Sequence, residues 1–404
     1  MCGIVGYISR NRQTEILIQE MLDTIVYRGP DSDGVWKDEN RNVALGHKRL
    51  AILDLSETGH QPMISHSGRY IIILNGEIYN FIELKELLEK NCKINWRGSS
   101  DTEIILELIE RVGISKSLEL FIGMFAFALY DKLEQKIYLA RDRMGEKPLY
   151  YFKNSSSFVF SSELKPILKF PEIEKNINMS ALNEYLNLSY INHPHSIFEN
   201  VSKLEPGKYL EFDINTFNYK ISNYWNFEEY SKFHSNTDFK YSYIEAVEHL
   251  EELLHDSISK QMRTDVPFGA FLSGGVDSSL IVALMQKNST NKINTFSIGF
   301  EDKKYDESVF AKRVAEHLGT NHTELILNNK DLSDVLSFIP KMYDEPFADS
   351  SQIPTYLVSK LAKEKVTVSL SGDGGDELFY GYNHYFLFNK INSATKGLKK
   401  YPTI

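Results

Sequence analysis

Along the first 225 residues, apolar runs of strand length alternate with polar turns. Residues 70–74 read as a strand closing on Asn75-Gly76, and residues 121–131 and 136–142 read as two strands joined by Lys-Leu-Glu-Gln, the pattern of a hairpin. Between them the spacing predicts a helix over 102–112, stopped at Gly113, with Asp101 in position to cap it. Residues 226–240 are polar and aromatic without a period and read as a linker. Beyond them a helix over 243–262 carries Ala246, Val247, Leu250, Leu253, Leu254 and Ile258 at near-helical spacing. Strand and helix then alternate: strand 267–272, helix 280–287, strand 293–300, helix 308–318 ended by Gly319, and strands 323–327 and 366–370. That alternation predicts a doubly wound parallel sheet, whose ligands lie beyond the carboxyl ends of its strands.

Length and charge narrow the class. A chain of 404 residues allows two or three domains, and 42% hydrophobic with 25% charged residues is a soluble globular composition. No apolar run is long enough to span a bilayer. A net charge of −10 with a pI of about 5.6 does not favour a nucleic-acid surface. Two cysteines make no disulfide framework, and the N-terminus lacks the basic-then-apolar pattern of a secretory signal. The expectation is small-molecule chemistry in the cytoplasm, with neither membrane nor nucleic acid as partner.

The stretch Ser273-Gly274-Gly275-Val276-Asp277-Ser278-Ser279 sits between a predicted strand and a predicted helix. Glycines there let the backbone approach an anion, and the first N–H groups of the helix lack internal partners, so phosphate is the expected guest. The spacing is neither a Walker loop, which places Lys before its Ser/Thr, nor a nucleophile elbow. It resembles the pyrophosphate loop of the N-type ATP pyrophosphatases, which split ATP to AMP and pyrophosphate to activate a carboxylate or carbonyl.

At the other end, Met1-Cys2-Gly3 has a small second residue, so removal of Met1 would leave Cys2 N-terminal. A thiol beside its own α-amino group, which titrates near roughly 7.7 to 8.0, is a nucleophile carrying its own base. Four motifs follow in order: Tyr27-Arg28-Gly29-Pro30-Asp31-Ser32-Asp33-Gly34, Gly46-His47-Lys48-Arg49-Leu50-Ala51-Ile52-Leu53-Asp54-Leu55, Gly59-His60-Gln61-Pro62-Met63 and Leu74-Asn75-Gly76-Glu77-Ile78-Tyr79-Asn80. Together they resemble the glutaminase domain of the class II glutamine amidotransferases. With the pyrophosphate loop behind them, nearly the whole chain resembles the glutamine-hydrolysing asparagine synthetases.

The resemblance implies an α/β protein of two domains. Residues 1–225 would be an N-terminal-nucleophile αββα sandwich, 226–240 a linker, and 241–404 an ATP pyrophosphatase domain with a doubly wound parallel sheet. It implies that Cys2 attacks the glutamine side-chain amide, with Asn75 and Gly76 as the oxyanion hole. Arg49 would offer a bidentate fork to the glutamine α-carboxylate, Glu77 and Asp101 negative charge to its α-amino group, and the backbone of Leu50, Ala51, Ile52 and Leu53 the pocket wall. For ATP it implies Leu272, Ile298, Ser371 and Gly372 around the adenosine, and Ser273, Gly274, Gly275, Asp277, Ser278 and Ser279 around the phosphates. Carboxylates beside phosphates repel them unless Mg²⁺ intervenes, so Asp277 and Asp376 are the candidate ligands of a Mg²⁺ that arrives with ATP. Asp373 lies at a position tied to forming the aspartyl adenylate, where close relatives carry Glu or Asp. Residues 345–351 are placed near the acceptor without individual roles, and residues 143–151 near the passage between the active sites. Cys92, without such a context, is read as structural.

Glutamine, aspartate and ATP are thus the expected substrates, glutamate and asparagine the products, and a homodimer the expected assembly. The resemblance also implies further helices and a lysine beyond residues 381–385, so that the second domain ending at Ile404 is C-terminally incomplete. The motifs specify glutamine and ATP better than the acceptor. The alternatives are a related ligase acting on another carboxylate, a truncated chain with glutaminase activity only, and a non-catalytic interaction subunit. Retention of Cys2, Arg49 and Asn75 argues against the last, and the N-terminal Cys against a β-lactam-forming relative.

Overall fold

The computed structural model describes residues 1–11, 13–14, 16–90, 93–235, 240–304 and 306–395. Cys92 lies outside them. The chain divides into two compact units, Met1–Ala246 with Ser337–Ser350, and Val247–Leu336 with Ser351–Ile404.

The first unit is built on strands β1 Gly3–Ser9, β2 Ser32–Asp38, β3 Val43–Arg49, β4 Met63–Ile64, β5 Tyr70–Ile78, β6 Gly123–Asp131, β7 Lys136–Arg141, β8 Tyr150–Lys153, β9 Ser157–Ser161, β10 Val201–Lys203, β11 Lys208–Asp213 and β12 Asn218–Asn223. They form two six-stranded antiparallel sheets, in the orders β10-β8-β9-β1-β3-β2 and β12-β11-β7-β6-β5-β4. The continuous apolar run of β5 is explained by burial on both faces. Ile71 and Ile73 face the gap between the sheets, where they meet Ile4, Ile8, Val43, Leu45, Phe158 and Phe212. Ile72 and Leu74 point the other way, into a layer of helices Phe81–Glu89, Asp101–Val112 and Ile114–Leu120. Outside the other sheet, Val5, Tyr7, Ala44 and Val159 pack on helix Leu17–Asp23. The order of layers is helix, sheet, sheet, helix, as the resemblance implied.

In the second unit, strands β13 Phe268–Phe271, β14 Asn294–Phe300, β15 Asn321–Leu327 and β16 Val368–Leu370 pair in parallel in the order β15-β14-β13-β16. The first three strands are laid down in one direction and β16 joins on the far side of β13. The order therefore reverses between β13 and β16, the place where such sheets hold ligands. Helices Val276–Lys287, Ser308–Leu318 and Gln352–Lys363 follow the sheet strands or precede β16, and Val282, Met285, Ala311 and Ala315 bury against Ala270 and Leu370.

Some local expectations shift. The strand over 70–74 runs on to Ile78, so Asn75 and Gly76 lie inside a paired strand opposite Ala126 and Phe125. The stretch 226–240 contains helix Phe227–Ser235. Among the described residues no helix is long and apolar enough to cross a membrane.

The two sheets of the first unit are joined by a stack of Phe158 on Phe212, with ring centroids 4.3 Å apart and planes 4° from parallel, both rings fully buried. Phe212→Ala should therefore cost about 3 to 5 kcal/mol, read as a lowered midpoint in denaturant unfolding of the first unit.

Candidate functional site

In the first unit a small pocket is lined by Cys2, Arg49, Leu50, Ile52, Leu53, Gly76, Glu77 and Asp101, together with Gly59, Gln61, Leu74, Ser100 and Thr102. Its volume is only about 20 Å³, so a ligand larger than a water enters by moving this lining. Cys2 immediately precedes β1, and its Sγ meets the backbone N–H of Leu50 at 3.4 Å and the Leu50 carbonyl at 3.5 Å. Burial pushes the thiol above its ordinary range, and burial also lowers the Met1 amino group to about 6.

Alternation along β5 puts Asn75 on the face of Ile71 and Ile73, toward the sheet that contains β1. Asn75 is fully buried, and both its amide atoms lack a hydrogen-bond partner. On β3 the same alternation turns His47 to that gap beyond Val43 and Leu45. His47 bonds the Leu74 carbonyl at 2.9 Å, leaves Nδ1 buried and unpaired, and is held neutral by burial, which lowers its pKa to about 4. Such orphaned polar atoms cost about 1 to 3 kcal/mol each, and here they lie on the faces that β3 and β5 turn to the gap between the two sheets. Gly76 has φ +154°, and a Cβ there would come within 2.1 Å of the Met124 carbonyl oxygen, so no other residue fits.

The acidic pair is buried together. Burial raises Asp101 to about 6, and burial followed by the charge of Asp101 raises Glu77 well above the carboxylate range. Two carboxyls so disfavoured as anions are a ready site for a cation. Asp101 does not cap its helix. The Ser100 hydroxyl accepts from the Thr102 N–H instead, and the Asp101 carboxylate accepts from Ile78 N at 2.8 Å, tying the helix to the end of β5. The guanidinium of Arg49 does not stand as an open fork. Nη2 donates to the carbonyls of Leu53 and Asp54, and Nη1 to that of Ser56 at 3.2 Å.

The loop that grips Arg49 is itself pinned by Asp54, a residue to which the sequence reading gave no role. Its carboxylate accepts from the Ser56 hydroxyl at 2.6 Å, Thr58 Oγ1 at 2.8 Å and the Ser99 N–H at 2.9 Å. Burial pushes Asp54 up, but these bonds outweigh it and hold the carboxyl below the usual range. A Cβ at Gly59 would strike Arg49 Nη2 at 2.1 Å, and one at Gly98 would strike Asp54 Oδ2 at 2.2 Å, so both glycines belong to the clamp. Ala51, whose N–H donates to Asp31 at 2.8 Å, is half-buried next to the pocket lining.

In the second unit a cavity of about 810 Å³ opens at the reversal between β13 and β16, a volume suited to a nucleotide-sized ligand. Leu272, Ser273, Gly275, Asp277, Ser278, Ile298, Ser371, Gly372, Asp373 and Asp376 all line it. Helix Val276–Lys287 starts there with Gly275 as its N-cap and no side-chain cap, leaving its first N–H groups for an anion. Ser273 and Ser278 bond each other through their hydroxyls at 2.9 Å, and Ser371 donates to Asp373 at 2.9 Å. Gly274 stands behind the lining, at φ +83°, where a Cβ would press on Ala311 N at 2.6 Å. Ser279 is not brought to the cavity: it borders a groove with Arg313 and His317, its hydroxyl buried and unpaired.

The carboxylates of Asp277 and Asp376 face this one cavity with no hydrogen-bond or ion-pair partner among the described residues. No cluster of three or more His, Cys, Asp or Glu able to hold a metal occurs among those residues. Two unpaired carboxylates fit a Mg²⁺ whose remaining ligands are phosphate oxygens and water, the usual arrangement for that ion.

Residues 1–225 match the family of the glutamine amidotransferase domain, and residues 249–400 that of asparagine synthase. The chain is 41% identical over 402 residues to a Methanocaldococcus jannaschii protein named "Putative asparagine synthetase (glutamine-hydrolyzing) 2", covering 95% of this chain and 76% of that one. It is 38% identical to glutamine-hydrolyzing asparagine synthetase 1 of Bacillus subtilis over 411 residues, 99% of this chain and 62% of the relative. A solved structure of the B. subtilis glutamine phosphoribosylpyrophosphate amidotransferase is similar with a TM-score of 0.40 at 16% identity, over 82% of this chain and 70% of that one.

The raised thiol pKa has a direct readout. In the chain that keeps Met1, the rate of iodoacetamide modification of Cys2, followed by peptide mass, should rise with pH through a midpoint above the ordinary 9.0. A midpoint at or below that value would contradict the burial of the thiol.

Proposed function

Because the chain belongs to the glutamine-hydrolysing asparagine synthetase family, we propose that it makes asparagine from aspartate, with glutamine as nitrogen donor and ATP as activator. The observation that carries the reading is the presence, in one chain, of a half-buried Cys2 sharing a pocket with Arg49, Gly76, Glu77 and Asp101, and of a nucleotide-sized cavity on a parallel sheet.

Removal of Met1 would place the α-amine on Cys2 itself, next to the thiol whose proton it would take as general base. The thiolate then attacks the side-chain carbon of glutamine. Asn75 Nδ2 and the Gly76 N–H would receive the oxyanion, ammonia leaves, and water releases glutamate from the Cys2 thioester. The α-ammonium of glutamine would satisfy Glu77 and Asp101, stabilising both as anions. The α-carboxylate would lie against Arg49, whose orientation the Asp54 loop fixes.

At the second site the β-carboxylate of aspartate attacks the α-phosphorus of ATP and pyrophosphate leaves. Ammonia attacks the resulting acyl adenylate, giving asparagine and AMP. The N–H groups at the start of helix Val276–Lys287 and the Ser273 and Ser278 hydroxyls would bind phosphate oxygens, while Leu272 and Ile298 give the adenine an apolar wall. Asp277 and Asp376 would hold Mg²⁺, which supplies charge neutralisation at the phosphates. Asp373, anchored by Ser371, stands on the loop after β16 where the adenylate would form.

The test is pyrophosphate release by the chain with MgATP, ammonium and aspartate, against the same mixture without aspartate. Dependence on aspartate is expected. Release prompted by another acid but not by aspartate would redirect the acceptor, and no release by folded protein would leave only the glutaminase half of the reading.

Two substitutions separate the sites. Cys2→Ala should lower glutamate production by at least about a thousandfold while ammonium-dependent pyrophosphate release persists. Asp277→Ala should remove pyrophosphate release and spare glutamine hydrolysis.

A further inference from the structure

Residues Ser337–Ser350 follow β15 in the chain but pack within the first unit. There the Asp344 carboxylate accepts from the backbone N–H groups of Leu164 at 2.5 Å and Lys165 at 3.0 Å, and pairs with Lys165 Nζ. These N–H groups open helix Leu164–Ile167, whose own preceding residue, Glu163, makes no side-chain cap. The cap comes instead from a carboxylate 180 residues further along.

Glu163 is thereby free to bind elsewhere. Its Oε2 meets Lys165 Nζ at 3.3 Å and the Tyr27 hydroxyl, and its Oε1 accepts from Arg28 Nη1 at 2.6 Å. Arg28 Nε in turn donates to the carbonyl of Cys2 at 2.9 Å. The side chains of Asp344, Glu163 and Arg28 are only 7%, 12% and 9% exposed. Four charges of alternating sign therefore run from Asp344 through Lys165 and Glu163 to Arg28, largely out of water. In such a row, loss of one terminal charge leaves its neighbour to find another partner. Neutralisation by Asp344→Asn would keep an acceptor for the two N–H groups but remove the anion beside Lys165, leaving Lys165 to compete with Arg28 for Glu163. Arg28 has no substitute partner at hand, since its Nη2 is already buried and unpaired.

We propose that Asp344 is a positioning residue for the nucleophile: a carboxylate from the later half of the chain fixes, through Lys165, Glu163 and Arg28, the backbone from which the Cys2 thiol projects. The inference rests on the reading of Cys2 as the glutaminase nucleophile. Misplacement of an attacking atom by a fraction of an ångström is felt in the chemical step more than in substrate binding, so the effect belongs in kcat.

The experiment uses the full chain with glutamine alone. Asp344→Asn should lower kcat for glutamate formation roughly three- to tenfold, leaving KM within about twofold. Asp344→Glu, which keeps the charge and the acceptors, should restore most of the rate. Glu163→Gln should fall at least as far as Asp344→Asn, and the double variant should be no slower than Glu163→Gln, because both act along one chain. A wild-type kcat in Asp344→Asn, or fully additive losses in the double variant, would overturn the proposal. If Asp344→Asn loses its cooperative melt, Lys165→Met interrupts the same row while leaving Asp344 on its N–H donors, and an unchanged kcat there overturns it equally. Failure of the underlying reading shows separately, as undiminished glutamate formation by Cys2→Ala.

Discussion

The pairing of β1 on both edges is the constraint on which the first site depends. Residues 5–8 of this strand are hydrogen-bonded to β3 on one side and β9 on the other, and every residue of the strand is buried. A strand held on two edges and two faces cannot slide without breaking both ladders and exposing its core. Cys2 is the residue before this fixed segment, so a position near the chain terminus, ordinarily prone to fraying, inherits the rigidity of a sheet centre. Arg28 on its carbonyl and Leu50 on its thiol complete the immobilisation.

Around that fixed point the unit tolerates groups that would be discarded from an ordinary core. Asn75 and His47 leave polar atoms unsatisfied, and Glu77 and Asp101 share a buried site as two acids. Each departs from the rule that buried polar groups are paired. The compensation comes from the layers on either side, where Ile71, Ile73, Phe158 and Phe212 fill one face of the sheets and the helices over β5 fill another. At the second site the unpaired groups are N–H donors and carboxylates around an open cavity, where water can satisfy them until a phosphate or cation does.

The periodic elements were legible in the sequence because burial on both faces writes continuous apolar runs, as in β5, and because alternation of strand and helix specifies the parallel sheet. The helix over 308–318 with its stop at Gly319 is found at those bounds. The pocket residues near Cys2 were legible as a set, through motifs. What eluded sequence reasoning depends on contacts between distant positions. Of the two fates open to Asp101, glutamine contact and helix cap, the cap falls instead to Ser100 one residue earlier, since the Asp101 carboxylate is drawn to Ile78 across the fold. Asp54 and Arg28 lie inside the motifs around Arg49 and Gly29, but only the folded chain shows one pinning the loop that grips Arg49 and the other holding the carbonyl of Cys2. Ser279 read as part of the phosphate loop, yet one further step around the helix turns its side chain into a neighbouring groove. The role of Asp344 had no local signal at all.

The return of Ser337–Ser350 to the first unit also sets an order of events during synthesis. At roughly 5 to 20 residues per second, the 180 residues separating Leu164 from Asp344 take roughly 10 to 40 s to translate. For that interval the nascent first unit can collapse around its two sheets, but the start of helix Leu164–Ile167 has only solvent or the ribosome's surroundings on its N–H groups. The contacts that run from the Leu164 helix start to the carbonyl of Cys2 are thus completed in two stages, and the last waits until the parallel-sheet half of the chain is largely made.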